Sequence, residues 1–177
     1  MTGTPLVRTP VPADAAGMAR VHVASWRETY RGLMRDDLLD APDFEERQVR
    51  FWTAALTEPR YRDRRFAVAE LAGDIVGIAL SGPRLGADDA ELPGLQLYIL
   101  YLLRAHHGTG AGGLLLDAVV PPGAAALLWV ADPNPRAQAF YRRNGFVADG
   151  AEQEEFGIRE IRMVRAAEPR QHVPNAG

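Results

Sequence analysis

Four of the seven residues in His107-Gly108-Thr109-Gly110-Ala111-Gly112-Gly113 are glycine, and the segment lies between an apolar run and a short apolar helix pattern. Backbone amides at a helix N-terminus, with no Cβ in the way, make a partly positive cradle for a phosphate. Two phosphate chemistries fit. The run Gly108-Thr109-Gly110-Ala111-Gly112-Gly113 satisfies G-x-G-x-x-G, and Asp132 falls near the place of a ribose-binding acid. Against a dinucleotide site, Arg104-Ala105-His106-His107 separate the strand from the first glycine, and only 45 residues follow Asp132. That is too short for the second half of a doubly wound sheet.

Other chemistries are excluded by composition. The chain has no cysteine, so disulfides, thiolate metal sites and a cysteine nucleophile are ruled out. All twenty of its Lys+Arg residues are arginine, which removes lysine Schiff-base chemistry. A net charge of -3 gives no electrostatic footprint for nucleic acid. The N-terminal residues lack the apolar run of a signal peptide, and no stretch is long and apolar enough to span a bilayer. The expectation is therefore a cytoplasmic protein with neither membrane nor nucleic acid as partner.

A second motif follows the glycines: Asn134-Pro135-Arg136-Ala137-Gln138-Ala139-Phe140-Tyr141-Arg142-Arg143-Asn144-Gly145-Phe146. With the loop from His107 to Gly112, this N-x-x-A-x-x-F-Y-x-x-x-G-F helix resembles the GNAT family of acetyl-CoA N-acetyltransferases. The resemblance covers about residues 5 to 166. It implies that backbone amides of His107, Gly108, Thr109, Gly110, Ala111 and Gly112 bind the pyrophosphate of acetyl-CoA as co-substrate, with His107 in place of the usual Gln or Arg. It further implies that Leu102 and Leu103 pair their backbone with the pantetheine arm, that Asn134 hydrogen-bonds that arm, and that Tyr141 protonates the departing thiolate. A phenol of pKa about 10 and a thiol near 8.5 make this transfer uphill in water, so the hydroxyl must be held against the sulfur.

The base is open. An alkylammonium of pKa about 10.4 is free amine in only about one molecule in 2,500 at pH 7. Histone-acetylating relatives carry a glutamate eleven residues before the loop, and the matching position here is Gln96. An amide cannot take that proton, so Gln96 is expected to orient the acceptor or a water. Glu91, a water relay past Tyr98, His22, or no dedicated base all stand as alternatives. His22, Trp26 and Tyr30 recur at i, i+4 and i+8, one helix face. Ser25 to Gly32 also resembles a stretch of one GNAT subgroup whose acceptor cleft is walled by this region, so Trp26 and Tyr30, with Gln96 and Tyr98 from the central strand, are the expected substrate-binding residues. Aromatic walls suit a small-molecule amine with an apolar or ring-bearing body. A non-catalytic acyl-CoA sensor and a peptide acetylase with Asp88, Asp89 and Glu91 in an acidic groove are the other readings.

The elements that must position these residues follow from periodicity. A strand at 7–9 precedes a helix capped by Asp14 and running to about Arg31, then a helix from Asp43 with Glu46 at capping-box spacing. Strands are expected at 65–71 and 75–80 around Ala72-Gly73-Asp74, and a central one at 95–103. A helix over 112–120, a strand over 125–131, a helix from Pro135 to Asn144-Gly145, and strands near 146–147 and 158–164 complete the order. The resulting fold class is α/β: one domain over 5–166, a mixed sheet of about seven strands flanked by about four helices, and a disordered tail over 167–177. A homodimer would suit an exposed last strand.

Overall fold

The computed structural model describes residues 3, 5–86 and 90–168. Asp88 and Asp89 of the expected acidic groove, and the tail beyond Glu168, lie outside the described residues. Glu168 itself is tied down, its N–H donating to the Gly123 carbonyl at 2.9 Å.

Seven strands, β1 (Leu6–Arg8), β2 (Arg65–Leu71), β3 (Asp74–Pro83), β4 (Leu95–Leu102), β5 (Ala126–Ala131), β6 (Val147–Glu155) and β7 (Ile158–Arg165), form one sheet in the order β1-β2-β3-β4-β5-β7-β6. The longer helices are α1 (Ala15–Tyr30), α3 (Phe44–Thr57), α4 (Ala111–Val119) and α5 (Pro135–Arg143), with a four-residue α2 (Asp36–Leu39) between the first two. The expected element order holds. Among the described residues, no helix is long and apolar enough to cross a membrane.

Strand alternation divides the core between the two faces of the sheet. Val68, Ile78 and Leu80 pack with Met18, Val21 and Trp52 beneath α1 and α3. Ala67, Ala79, Leu97 and Leu128 pack with Leu115, Leu116, Tyr141 and Phe146 on the face covered by α4 and α5. Burial of each large side chain, such as Trp52 or Phe146, contributes roughly 1.5–3 kcal/mol. Gly77 lets α4 sit close: a Cβ there would lie 2.8 Å from Leu115 Cδ1 and 2.9 Å from Leu102 Cδ1.

Three local expectations are corrected. Neither Asp14 nor Asp43 caps its helix through the side chain. Asp14 instead binds Arg8 at 2.7 Å and the Val11 N–H at 2.8 Å, while Asp43 pairs with Arg47 at 2.6 Å. An arginine within reach outbids a backbone amide for the carboxylate, because both partners are then charged. The penultimate strand is much longer than the pair at 146–147. Eight of its nine residues are exposed and four of the nine are acidic, so no apolar alternation marks it. That strand, β6, forms the sheet edge, and the last strand β7 is enclosed between β5 and β6.

Candidate active site

All neighbouring strands are antiparallel except β4 and β5, which are parallel and register only at Gln96↔Leu127 and Leu97↔Leu128. The cause is a bulge in β4: Leu80 opposes Ile99 and Ser81 opposes Leu97, which leaves Tyr98 as the extra residue. Beyond it the two strands part. The wedge opens into a cavity of about 1370 Å³, lined by the second half of β4, the end of β5, and the N-terminal ends of α4 and α5.

The glycine loop closes one end of this wedge. Gly108 and Gly110 have φ of +80° and +87°, the left-handed region that glycine adopts without strain. Gly110 is the N-cap of α4, and its carbonyl accepts from the Gly113 and Leu114 amides. Thr109 Oγ1 donates to the His106 carbonyl at 2.8 Å, and the Ala111 amide approaches the same hydroxyl at 3.4 Å. Gly108, Gly110, Gly112 and His107 border the cavity, at the end of α4 where the leading amides have no i−4 carbonyl within the helix. His107 does more than lend its backbone, since its Nε2 lies 2.8 Å from the Leu102 carbonyl and braces the turn against β4.

Leu102 lines the cavity, and Leu103 is placed otherwise than expected. The Leu103 N–H donates to Val76 O at 3.0 Å, and its carbonyl accepts from His106 N at 2.9 Å. Both groups are engaged within the chain, because alternation turns Leu103 toward β3. Asn134 caps α5, its Oδ1 accepting from the Ala137 amide at 3.1 Å, and lines the wall opposite the glycine loop.

Tyr141 projects into the cavity from α5, its ring buried beside Phe140 and Phe146. Burial, and next the neighbouring Tyr30, hold its phenol well above the usual tyrosine range.

The far end is aromatic. His22, Trp26 and Tyr30 occupy one face of α1, with His22–Trp26 and Trp26–Tyr30 centroids each 5.5 Å apart. Trp26 Nε1 donates to the Tyr101 hydroxyl at 2.9 Å, and Phe44 and Phe156 pack on the same indole. Tyr101, Phe156, Glu155 and Glu160 line this end and were not singled out by the sequence. The phenols of Tyr30, pushed up to about 12, and Tyr101 are both raised chiefly by burial. Neither Gln96 nor Glu91 lines the cavity. Gln96 sits where β4 and β5 are still paired, before the wedge opens. Tyr98 reaches the cavity, but its hydroxyl donates to Pro83 O at 2.7 Å and its ring carries the Arg64 guanidinium at 4.4 Å.

His22 is buried, and among the described residues neither ring nitrogen has a hydrogen-bond partner. Burial depresses its pKa from 6.5 to about 4. The sign follows directly. Above about pH 6.5 the ring is neutral both folded and unfolded, and its contribution to stability is complete. As pH falls toward 4, the unfolded chain binds a proton that the fold refuses, so stability is lost. His22→Phe is expected to flatten the fall in Tm between about pH 6.5 and 4.5 by several degrees. Equal slopes for the two proteins in thermal melts would exclude it.

A family model described as an acetyltransferase (GNAT) domain matches residues 40–167. A probable N-acetyltransferase of Mycobacterium tuberculosis is 26% identical over 148 residues, covering 81% of this chain and 80% of the relative. An uncharacterized N-acetyltransferase of Bacillus subtilis is 26% identical over 155 residues, 85% and 83% of the two chains. Among solved structures, PaiA N-acetyltransferase from Thermoplasma acidophilum in complex with coenzyme A superposes with a TM-score of 0.66 at 16% identity, covering 94% of this chain and 100% of that one. A histone acetyltransferase HPA2-related protein from Corynebacterium glutamicum gives 0.68 at 21% identity, over 96% and 99%. With the family model spanning well over half the chain and the sheet carrying the parted β4–β5 pair, the protein belongs to the GNAT family of acetyltransferases.

Proposed function

We propose that this chain transfers the acetyl group of acetyl-CoA directly to the primary amine of a small molecule, both substrates being bound at once. The observation that carries the reading is the β4–β5 wedge, with a phosphate cradle at one end, a buried tyrosine within it and an aromatic pocket at the other. Acetyl-CoA would lie along the wedge, its pyrophosphate on the loop from His107 to Gly112 and its arm between Leu102 and Asn134. The coenzyme A complex of the Thermoplasma relative supports that ligand class.

Tyr141 serves as general acid. The amine nitrogen attacks the thioester carbon, the C–S bond breaks, and sulfur takes the Tyr141 proton. The phenolate then regains a proton from the nitrogen of the product. Burial raises the tyrosine, but the same dry surroundings destabilise a thiolate too, so the transfer is not made steeper by the tyrosine's shift alone. Free thiol should appear when the protein, acetyl-CoA and a panel of primary amines are mixed. Tight acetyl-CoA binding without thiol release for any amine would identify a sensor on this fold instead.

A further inference from the structure

Resting on the acetyltransferase reading above, we infer that Glu160 takes the proton from the acceptor ammonium, and that the acceptor is a primary amine on a ring-bearing, apolar body. Glu160 is half-buried on β7 and borders the same cavity as Tyr30, Tyr101 and Tyr141. Gln153 Nε2 donates to one carboxylate oxygen at 2.7 Å. The other oxygen is unoccupied by any described residue, and none of the described arginines pairs with this carboxylate. The nearest in sequence, Arg159 and Arg162, are taken by Glu152 and Asp132, and by Asp149. A half-buried carboxylate without a cation is suited to an incoming ammonium.

The groups around it agree. From α1 come Tyr30 and the neutral His22, from β4 Tyr101, from α5 Tyr141, and from β6 Glu155 and Gln153. None of these is cationic at neutral pH, and the arginines that border the cavity, Arg104, Arg136 and Arg143, come from the turn after β4 and from α5. Burial and Glu155 raise the proton affinity of Glu160, partly offset by Gln153, whereas burial lowers that of His22. Compared with His22, the Glu160 carboxylate is the better acceptor of a proton.

The body of the acceptor is read from Phe156. It occupies the first central position of the two-residue turn joining β6 to β7, with φ +51°, a conformation proper to Asn or Gly there. Phe156 is 63% exposed, and its ring stands edge-on to Trp26 at 5.9 Å. A strained backbone and an exposed ring both oppose folding. Together they finish an aromatic wall of Trp26, Tyr30 and Phe156 at the mouth of the cavity.

The step balances. Glu160 carboxylate plus R–NH3+ gives the carboxylic acid plus R–NH2, whose lone pair forms the C–N bond as the C–S bond breaks, and Glu160 returns its proton to water. The test uses the whole protein with phenethylamine and ethylamine as probes, with CoA release followed from about pH 5 to 9. Wild type should favour phenethylamine by about tenfold or more in kcat/KM. Glu160→Gln, which keeps the Gln153 contact, should bind acetyl-CoA as before and lose about 10²-fold in kcat at pH 7. It should also lose the acidic limb of the pH profile, and Glu160→Asp should restore part of both. Phe156→Asn should raise Tm and raise KM for phenethylamine. Wild-type rate and pH profile in Glu160→Gln overturn the inference alone, as does a preference for ethylamine. Absence of thiol release from wild type with every amine overturns the acetyltransferase reading, and this inference falls with it.

Discussion

Tyr141→Phe is expected to lower kcat by roughly 10²–10³-fold while the Kd for acetyl-CoA stays nearly constant. The substitution removes one oxygen and preserves the ring that packs against Phe140 and Phe146. No hydrogen bond ties the hydroxyl to a described residue, so its loss strands no protein group and Tm should hold. What disappears is the proton for the departing sulfur. Coenzyme A would then leave as a thiolate beside the buried Tyr141 ring and the Phe140 ring, where an uncompensated anion is costly. The loss therefore belongs in kcat. An acyl donor whose thiol has a much lower pKa should recover most of the rate, because it departs without protonation. Full kcat in the phenylalanine enzyme with ordinary acetyl-CoA would remove Tyr141 from the chemistry.

The donor half of the site was legible because its signals are local. Glycines at 108 and 110 mark positive φ, and Asn134-Pro135 marks a helix start with its cap, each within a few residues. The acceptor half is long-range. Tyr101 meets Trp26 across 75 residues of chain, and Glu160 and Phe156 reach the cavity only because the β6–β7 turn folds toward α1. The turn Glu155-Phe156-Gly157-Ile158 was missed because Phe is an unfavourable residue at its position. Along β4 the bulge at Tyr98 defeats counting by pairs. Leu97 and Leu100 both face α4 although three residues apart, and Gln96 lies ~16 Å along the strand from Tyr101. The aromatic face of α1 was legible because helix periodicity is unbroken from His22 to Tyr30. Asp14 and Asp43 were misread because an arginine four to six residues away is a stronger partner than an amide.

Gly110→Asp is expected to weaken acetyl-CoA binding by about 10²-fold while the folded state is retained. A Cβ at Gly110 would meet nothing within 4 Å, so there is space for the side chain. The φ of +87° strains any L residue, but Asp tolerates this region better than most. As the N-cap of α4, the new carboxylate could accept hydrogen bonds from the first-turn amides, which offsets part of that strain. Those are the donors proposed to hold the pyrophosphate. The substitution both occupies the cradle and sets a like charge beside the ligand, costing about 3 kcal/mol at ~5 Å and an effective dielectric of ~20. Gly110→Ala carries the backbone strain without the charge and should lose only a few-fold in affinity. With acetyl-CoA raised to saturation, Gly110→Asp should recover much of wild-type kcat, because Tyr141 and the aromatic pocket are untouched. This is the reverse of the Tyr141→Phe pattern. An unchanged Kd by titration calorimetry would place the pyrophosphate elsewhere.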